Sequence, residues 1–162
     1  MIEIYETIGN CRICGSKNIE EIIDLGLQPP ANSLYKPNNE EPPGVPLRMV
    51  FCHHCSTVQL GENVDPEYLF SEYLWVTGTS GTAIDYSFDF ANRALSHLSK
   101  EIAEPFVVEI ASNDGTFLKR FIEKDARVLG VDPAKNIAEI ANNNGVPTKA
   151  DFFTVDLAKQ IA

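Results

Sequence analysis

No apolar run in this 162-residue chain approaches the ~20 residues that a bilayer-spanning helix needs, so a transmembrane span is not expected. Positive charge is also scarce. With 13 Lys and Arg against 23 Asp and Glu, the formal charge is −10. A surface that negative repels phosphate backbones and anionic lipid, which argues against nucleic acid and membrane partners. The opening MIEIYETIGN has neither the basic nor the apolar stretch of a secretory leader. No signal peptide is therefore expected, and a cytoplasmic protein with reduced thiols is. Internal repeats are missing, and so is the glycine pattern G-x-G-x-x-G of dinucleotide-binding turns.

Cysteine is sparse but patterned. The 4 cysteines form two C-x-x-C pairs, Cys11 with Cys14 and Cys52 with Cys55, separated by 37 residues. In a reducing compartment such pairs read better as a metal site than as disulfides, a redox C-x-x-C being the rival. CRICG makes a first knuckle, with Gly15 at its sharp turn, and IEEIIDLG reads as a strand. Residues 28–46 hold six of the 10 prolines and read as an extended connection. PLRMVF then runs as a strand into CHHC and STVQL runs out as another, the layout of a zinc ribbon. His53 and His54 lie inside the second knuckle; with four thiols available they are expected to face solvent.

From Gly81 the apolar positions Ile84, Phe88, Ala91, Leu95, Leu98 and Ile102 recur at helical steps, with Ser80 or Thr82 as the N-cap. His97 lies off this stripe and is expected at the surface. From Pro105 strands and helices alternate: PFVVEI, TFLKRFIEK, RVLGVD, PAKNIAEIANNNG, VPTKAD and TVDLAKQIA. That order builds a parallel α/β sheet. The expected division is a zinc-binding module over 1–72, a linker and long helix over 73–103, and an α/β unit over 104–162. Three strands alone leave VVEIA as a bare apolar edge, so the sequence is expected to be part of a longer protein. The alternative is a small complete protein whose edge the metal module or a dimer partner covers.

The turn after the first of these strands carries the chemistry. VVEIASNDGTFL places Ala111, Asn113 and Gly115 where a dinucleotide fold has glycines, behind the acidic Glu109. Asn tolerates the left-handed backbone, so the path of the turn survives while its phosphate cradle is poorer. An acid in the strand fits badly beside a pyrophosphate and well beside a cation. The pattern through Asp114 suits S-adenosylmethionine, which carries a sulfonium, an ammonium and one carboxylate. Asp132 ends the second strand, 17 residues after Gly115, where a carboxylate takes ribose hydroxyls. Asp151 ends the third and precedes Phe152 and Phe153, an acid for an adenine amino group and a ring for its face. The bland reading of each strand-end Asp is a helix cap.

The sequence resembles the S-adenosylmethionine-dependent C-methyltransferases of nucleotide-linked deoxysugars, in which a zinc-binding module precedes a Rossmann-like class I methyltransferase domain. CRIC, DLGLQPPANSL, PLRMVFCHHCSTVQL, EYLWVTGTS and VVEIASNDGTFL carry the resemblance. It implies a four-thiolate structural zinc on Cys11, Cys14, Cys52 and Cys55. It implies cofactor contacts from Glu109 to Gly115, from Asp132 and near Asp151, with Phe152 beside them. It also implies a tyrosine near the reacting groups, for which Tyr73 is the best match, with Trp75 next to it. A catalytic histidine and tyrosine belong beyond the third strand. Ala111 departs from the glycine more usual in the family. The expected partner is a small nucleotide-sugar; the oligomeric state is unknown. Tyr68, Phe70, Tyr73 and Trp75 lie within eight residues and read either as packing between modules or as a lid. Two rival functions are a zinc-ribbon scaffold without catalysis and a methyltransferase with a different small acceptor.

Overall fold

The computed structural model describes residues 4–34, 38, 41–99 and 102–162. Part of the expected extended connection over 28–46 lies outside the described residues. The chain divides into two compact units, Met1–Leu69 and Phe70–Ala162.

The first unit is built from short antiparallel strands. β1 (Tyr5–Thr7) pairs with β5 (Glu62–Val64); β2 (Ile19–Gln28), β3 (Val45–Cys52) and β4 (Val58–Leu60) form a second sheet with β3 in the middle. The β2–β3 register slips between Asp24 and Leu27, where Gly26 takes φ +70° and donates its N–H to Asp24 Oδ1 at 2.8 Å. Little apolar surface is buried here: β2 is exposed along nearly its whole length, and Val45 and Val50 point inward from β3. Polar bonds do much of the tethering. Arg48 pairs with the buried Glu62 and, at 3.1 Å, with Glu21. Those carboxylates raise the pKa of the Arg48 guanidinium further, Glu62 foremost. Arg12, inside the first knuckle, donates to the carbonyls of Leu60 at 2.7 Å and Glu62 at 3.1 Å.

The second unit is a parallel α/β arrangement. α1 (Pro66–Phe70) ends at its first residue. A 3-10 turn (Thr77–Thr79) leads into α2 (Gly81–Ser96), whose N-cap Ser80 accepts from the Ala83 N–H at 3.3 Å. β6 (Phe106–Ile110), β7 (Arg127–Val131) and β8 (Thr148–Lys149) pair in parallel in that order. α3 (Thr116–Ile122), α4 (Lys135–Asn143) and α5 (Val155–Ile161) follow them in turn. Ala91, Leu118, Phe121, Ala126, Ala141 and Val146 form the core, flanked by Val107 and Val128 of the sheet.

Two expectations need correction. The helix over 81–102 ends at Ser96, because the His97 N–H closes onto Ala94 O at 3.2 Å; Leu98 and Ile102 fall outside it and are exposed. Its buried face also turns: Ser87 and Ala91 are buried, and Phe88 is exposed. Ser87 tolerates burial because its hydroxyl donates to Ile84 O at 2.6 Å and accepts from Arg120 Nε at 3.3 Å. Phe88 instead lies under the Arg120 guanidinium, 4.1 Å from the ring centre. The third strand is shorter than VPTKAD, since Pro147 has no N–H for the ladder.

Candidate functional site

In the first unit two knuckles of the same design face each other. The Gly15 N–H closes onto Cys11 O at 2.9 Å and the Ser56 N–H onto Cys52 O at 2.8 Å. Gly15 and Ser56, each one residue past its second cysteine, are both left-handed, at φ 73° and 59°. This tight return brings each pair of sulfurs to one side. The four Sγ atoms lie within 4.8 Å of one another, and two contacts of 3.6 Å, Cys11–Cys55 and Cys14–Cys52, run between knuckles. Zinc held by four thiolates at ~2.3 Å separates its sulfurs by ~3.8 Å, so the spacing fits.

Ionisation fits as well. The Cys14 N–H leads in pulling the Cys11 thiol down to about 6. Cys14 is favoured as thiolate by the Ser16 N–H, yet partial desolvation and the sulfurs of Cys55, Cys52 and Cys11 push it up to about 12. A divalent cation removes that conflict by stabilising all four thiolates together. Gln59 Nε2 donates to Cys11 Sγ at 3.2 Å, and the Thr57 hydroxyl, 3.2 Å from Cys55 Sγ, leads in lowering that thiol's pKa. Such outer partners orient ligands. His53 and His54 are exposed, and His53 pairs with Glu20 at 2.7 Å. Four protein ligands leave no open position for a reacting group.

In the second unit the site starts from the turn after β6. Ala111, Asn113 and Gly115 are all left-handed, at φ 55°, 50° and 77°. The Ala111 N–H continues the ladder onto Val131 O at 2.8 Å, and beyond it the turn closes with the Gly115 N–H on Ser112 O at 3.1 Å. Gly115 is required twice over. Its φ is positive, and a Cβ there would stand 2.7 Å from Val146 Cγ1.

Asp132, buried at the end of β7, accepts from the Asn113 N–H through Oδ2 at 2.8 Å and from the Ala134 N–H through Oδ1 at 2.9 Å. Each oxygen keeps lone pairs for a further donor. Beside it opens a cavity of about 390 Å³ at the carboxyl ends of β6 and β7, where parallel sheets hold ligands. Tyr73, Ile110, Asn113, Asp132, Phe152 and Phe153 are among its lining.

The expected site residues thus separate. Tyr73, Ala111, Asn113, Asp132 and Phe152 share this cavity. Asp114 and Gly115 lie on another side of the turn, with Thr116 and Val146; there Asp114 Oδ1 accepts from the Thr116 hydroxyl at 2.8 Å. Asp151 is exposed, its N–H bonded to Asp132 O at 3.2 Å. Glu109 faces a separate apolar groove with Phe90, Leu95 and Leu98. Burial, then the charges of Asp114 and Asp132, push its carboxyl up to about 7, and its Oε2 has no hydrogen-bond partner. Val131, Pro133 and Ala134 also line the cavity, and sequence reasoning passed over them. The available signal was their place on either side of Asp132.

Residues 11–70 match the profile of a family described as "Putative zinc binding domain". The whole chain is also similar to the C-methyltransferase NovU of Streptomyces niveus, 31% identical over 166 residues. It spans 39% of that relative's length. All four cysteines of the cluster lie within the matched residues, which supports structural zinc. Among the described residues no helix is long and apolar enough to cross a membrane.

Proposed function

We propose that this chain is the donor-binding part of an S-adenosylmethionine-dependent methyltransferase with a Rossmann-like class I sheet. The proposed acceptor is a carbon beside the keto group of a nucleotide-linked deoxysugar. One observation carries the reading: a buried carboxylate, Asp132, with spare lone pairs, stands in a cavity whose lining includes the apolar Ile110, Val131, Phe152 and Phe153. A nucleoside needs that combination, two hydroxyls to anchor and a flat base to cover. The named activity of the relative, transfer of methyl to carbon, supports the choice of cofactor.

On this reading Asp132 holds the ribose, Phe152 and Phe153 cover the adenine and Asp151 reaches its amino group. The turn from Ala111 to Gly115 passes beside the amino-acid end. S-adenosylmethionine supplies an electrophilic methyl on a sulfonium. The residues of this chain hold that methyl against the acceptor carbon; good alignment of that kind is worth roughly 7–11 kcal/mol of barrier. Tyr73, on the cavity wall, is the group of this chain best placed to meet the acceptor. The zinc keeps the first unit folded and takes no part in the transfer.

Calorimetric titration of the full-length protein with S-adenosylhomocysteine tests the proposal. Binding is expected in the wild type and is expected to vanish in Asp132→Ala. Absence of heat in the wild type would remove the methyl-donor reading and leave a zinc-bearing scaffold as the better account.

A further inference from the structure

The segment from Ser71 to Val76 has no regular structure, yet it carries Tyr73 to the cavity wall of the second unit. A backbone without a ladder must find its hydrogen bonds elsewhere. Ser71 O takes the Lys135 N–H at 3.0 Å, and the bonds that follow are made by side chains. Asn136 Oδ1 accepts from the Tyr73 N–H at 3.1 Å, and Asn136 Nδ2 donates to Tyr73 O at 2.8 Å. Asn113 does the same two residues on: its Nδ2 donates to Trp75 O at 3.0 Å and its Oδ1 accepts from the Thr77 N–H at 2.8 Å. Asp114 Oδ2 then takes the Gly78 N–H at 3.0 Å. A primary amide presents a donor and an acceptor side by side, as a peptide group does, so each asparagine stands in for a neighbouring strand.

The fit is close. A Cβ on Gly78 would stand 2.5 Å from Asp114 Oδ2, so only glycine lets the backbone approach this near. The attachment also leads to the cavity wall, because the Asn113 N–H donates to Asp132 Oδ2. Asn136, in contrast, is outside the lining residues and touches the cavity only through Tyr73.

We propose that Asn113 and Asn136 are positioning residues that strap the Tyr73–Gly78 segment onto the second unit and so hold Tyr73 over whatever Asp132 binds. The strap itself stands on the hydrogen bonds; its link to S-adenosylmethionine rests on the function proposed above. A ligand on Asp132 steadies the Asn113 turn and, through it, the strap.

Amide hydrogen exchange, read residue by residue on the full-length protein, tests this. In the ligand-free protein Asn136→Ala is expected to speed exchange at Tyr73, and Asn113→Ala at Thr77, each about 2- to 10-fold for the bonds lost. The Leu129 amide in β7 is the folding control and is expected to hold its rate. S-adenosylhomocysteine is expected to slow both strap amides in the wild type. Its binding to Asn136→Ala is expected to be about 2- to 10-fold weaker, although that side chain is outside the cavity. Unchanged Tyr73 exchange in Asn136→Ala overturns the strap. Freed exchange with wild-type affinity overturns its role at the ligand. A wild type that does not bind S-adenosylhomocysteine overturns the methyl-donor reading and leaves the ligand-free exchange result to decide the strap.

Discussion

Among the described residues, the unit ending at Leu69 buries Val45 and Val50 with two of its four cysteines, and its long strand β2 lies exposed. The unit from Phe70 buries Leu118, Phe121, Val131, Ile137, Val146 and Leu157. The first therefore depends on what its sulfurs hold, and the second on apolar packing. A consequence follows for their sites. In the first unit the site and the stabilising element are the same atoms, so touching one destroys the other. In the second, the cavity around Asp132 sits at the strand ends, beside the core cluster of Leu118, Phe121 and Val146, and only Val131 and Ala134 of the buried apolar residues line it. Binding residues there can be changed while the fold survives.

The largest expected effect breaks the comparison on the metal side. Chelation is expected to unfold the first unit, with a loss on the order of 10–16 kcal/mol of metal-linked stability, and to leave the second unit folded. Elemental analysis before and after, with residue-resolved exchange, checks it. A first unit that stays fully folded without metal would contradict the assignment.

Next in size is the core. Leu118 is fully buried within the cluster around Phe121 and Val146. Leu118→Ala is expected to cost the second unit about 2–5 kcal/mol and to leave the zinc content unchanged. Denaturant melts followed at signals of each unit separate the two effects.

The smallest sharpens the electrostatics of the second unit. The Glu109 carboxyl is raised from 4.5 to about 7, so the folded state binds a proton that the unfolded state has released between those values. Stability is therefore fully present below about 4.5 and falls as pH rises toward about 7, then levels off. Glu109→Gln is expected to flatten that slope and to stabilise the second unit at pH ~8 by up to about 3 kcal/mol. An equal slope in both proteins, measured by denaturation across pH, would place the cost elsewhere.

Much of this architecture was legible in the residues because its causes are local. C-x-x-C followed by a left-handed residue makes a knuckle wherever it occurs, and alternating apolar runs with helical stretches make a parallel sheet. Ala111, Asn113 and Gly115 stand two apart, and the turn is left-handed at all three. Less legible was the helix over 81–102. Its apolar positions recur at helical steps, but the helix stops at Ser96, and burial of Ser87 with exposure of Phe88 depends on Arg120 arriving from α3.

The sequence alone determined which thiols pair into knuckles, the order of strands and helices, and the backbone path after β6, since neighbours along the chain set those. Tertiary structure alone decided that the two knuckles share one set of four sulfurs. It also decided that Tyr73, Asp132 and Phe152 meet while Glu109 turns to another groove, and that two asparagines far apart in sequence hold one aromatic segment. Those outcomes depend on which strand face a side chain occupies and how far each crossover carries the chain. No short stretch of sequence encodes either distance.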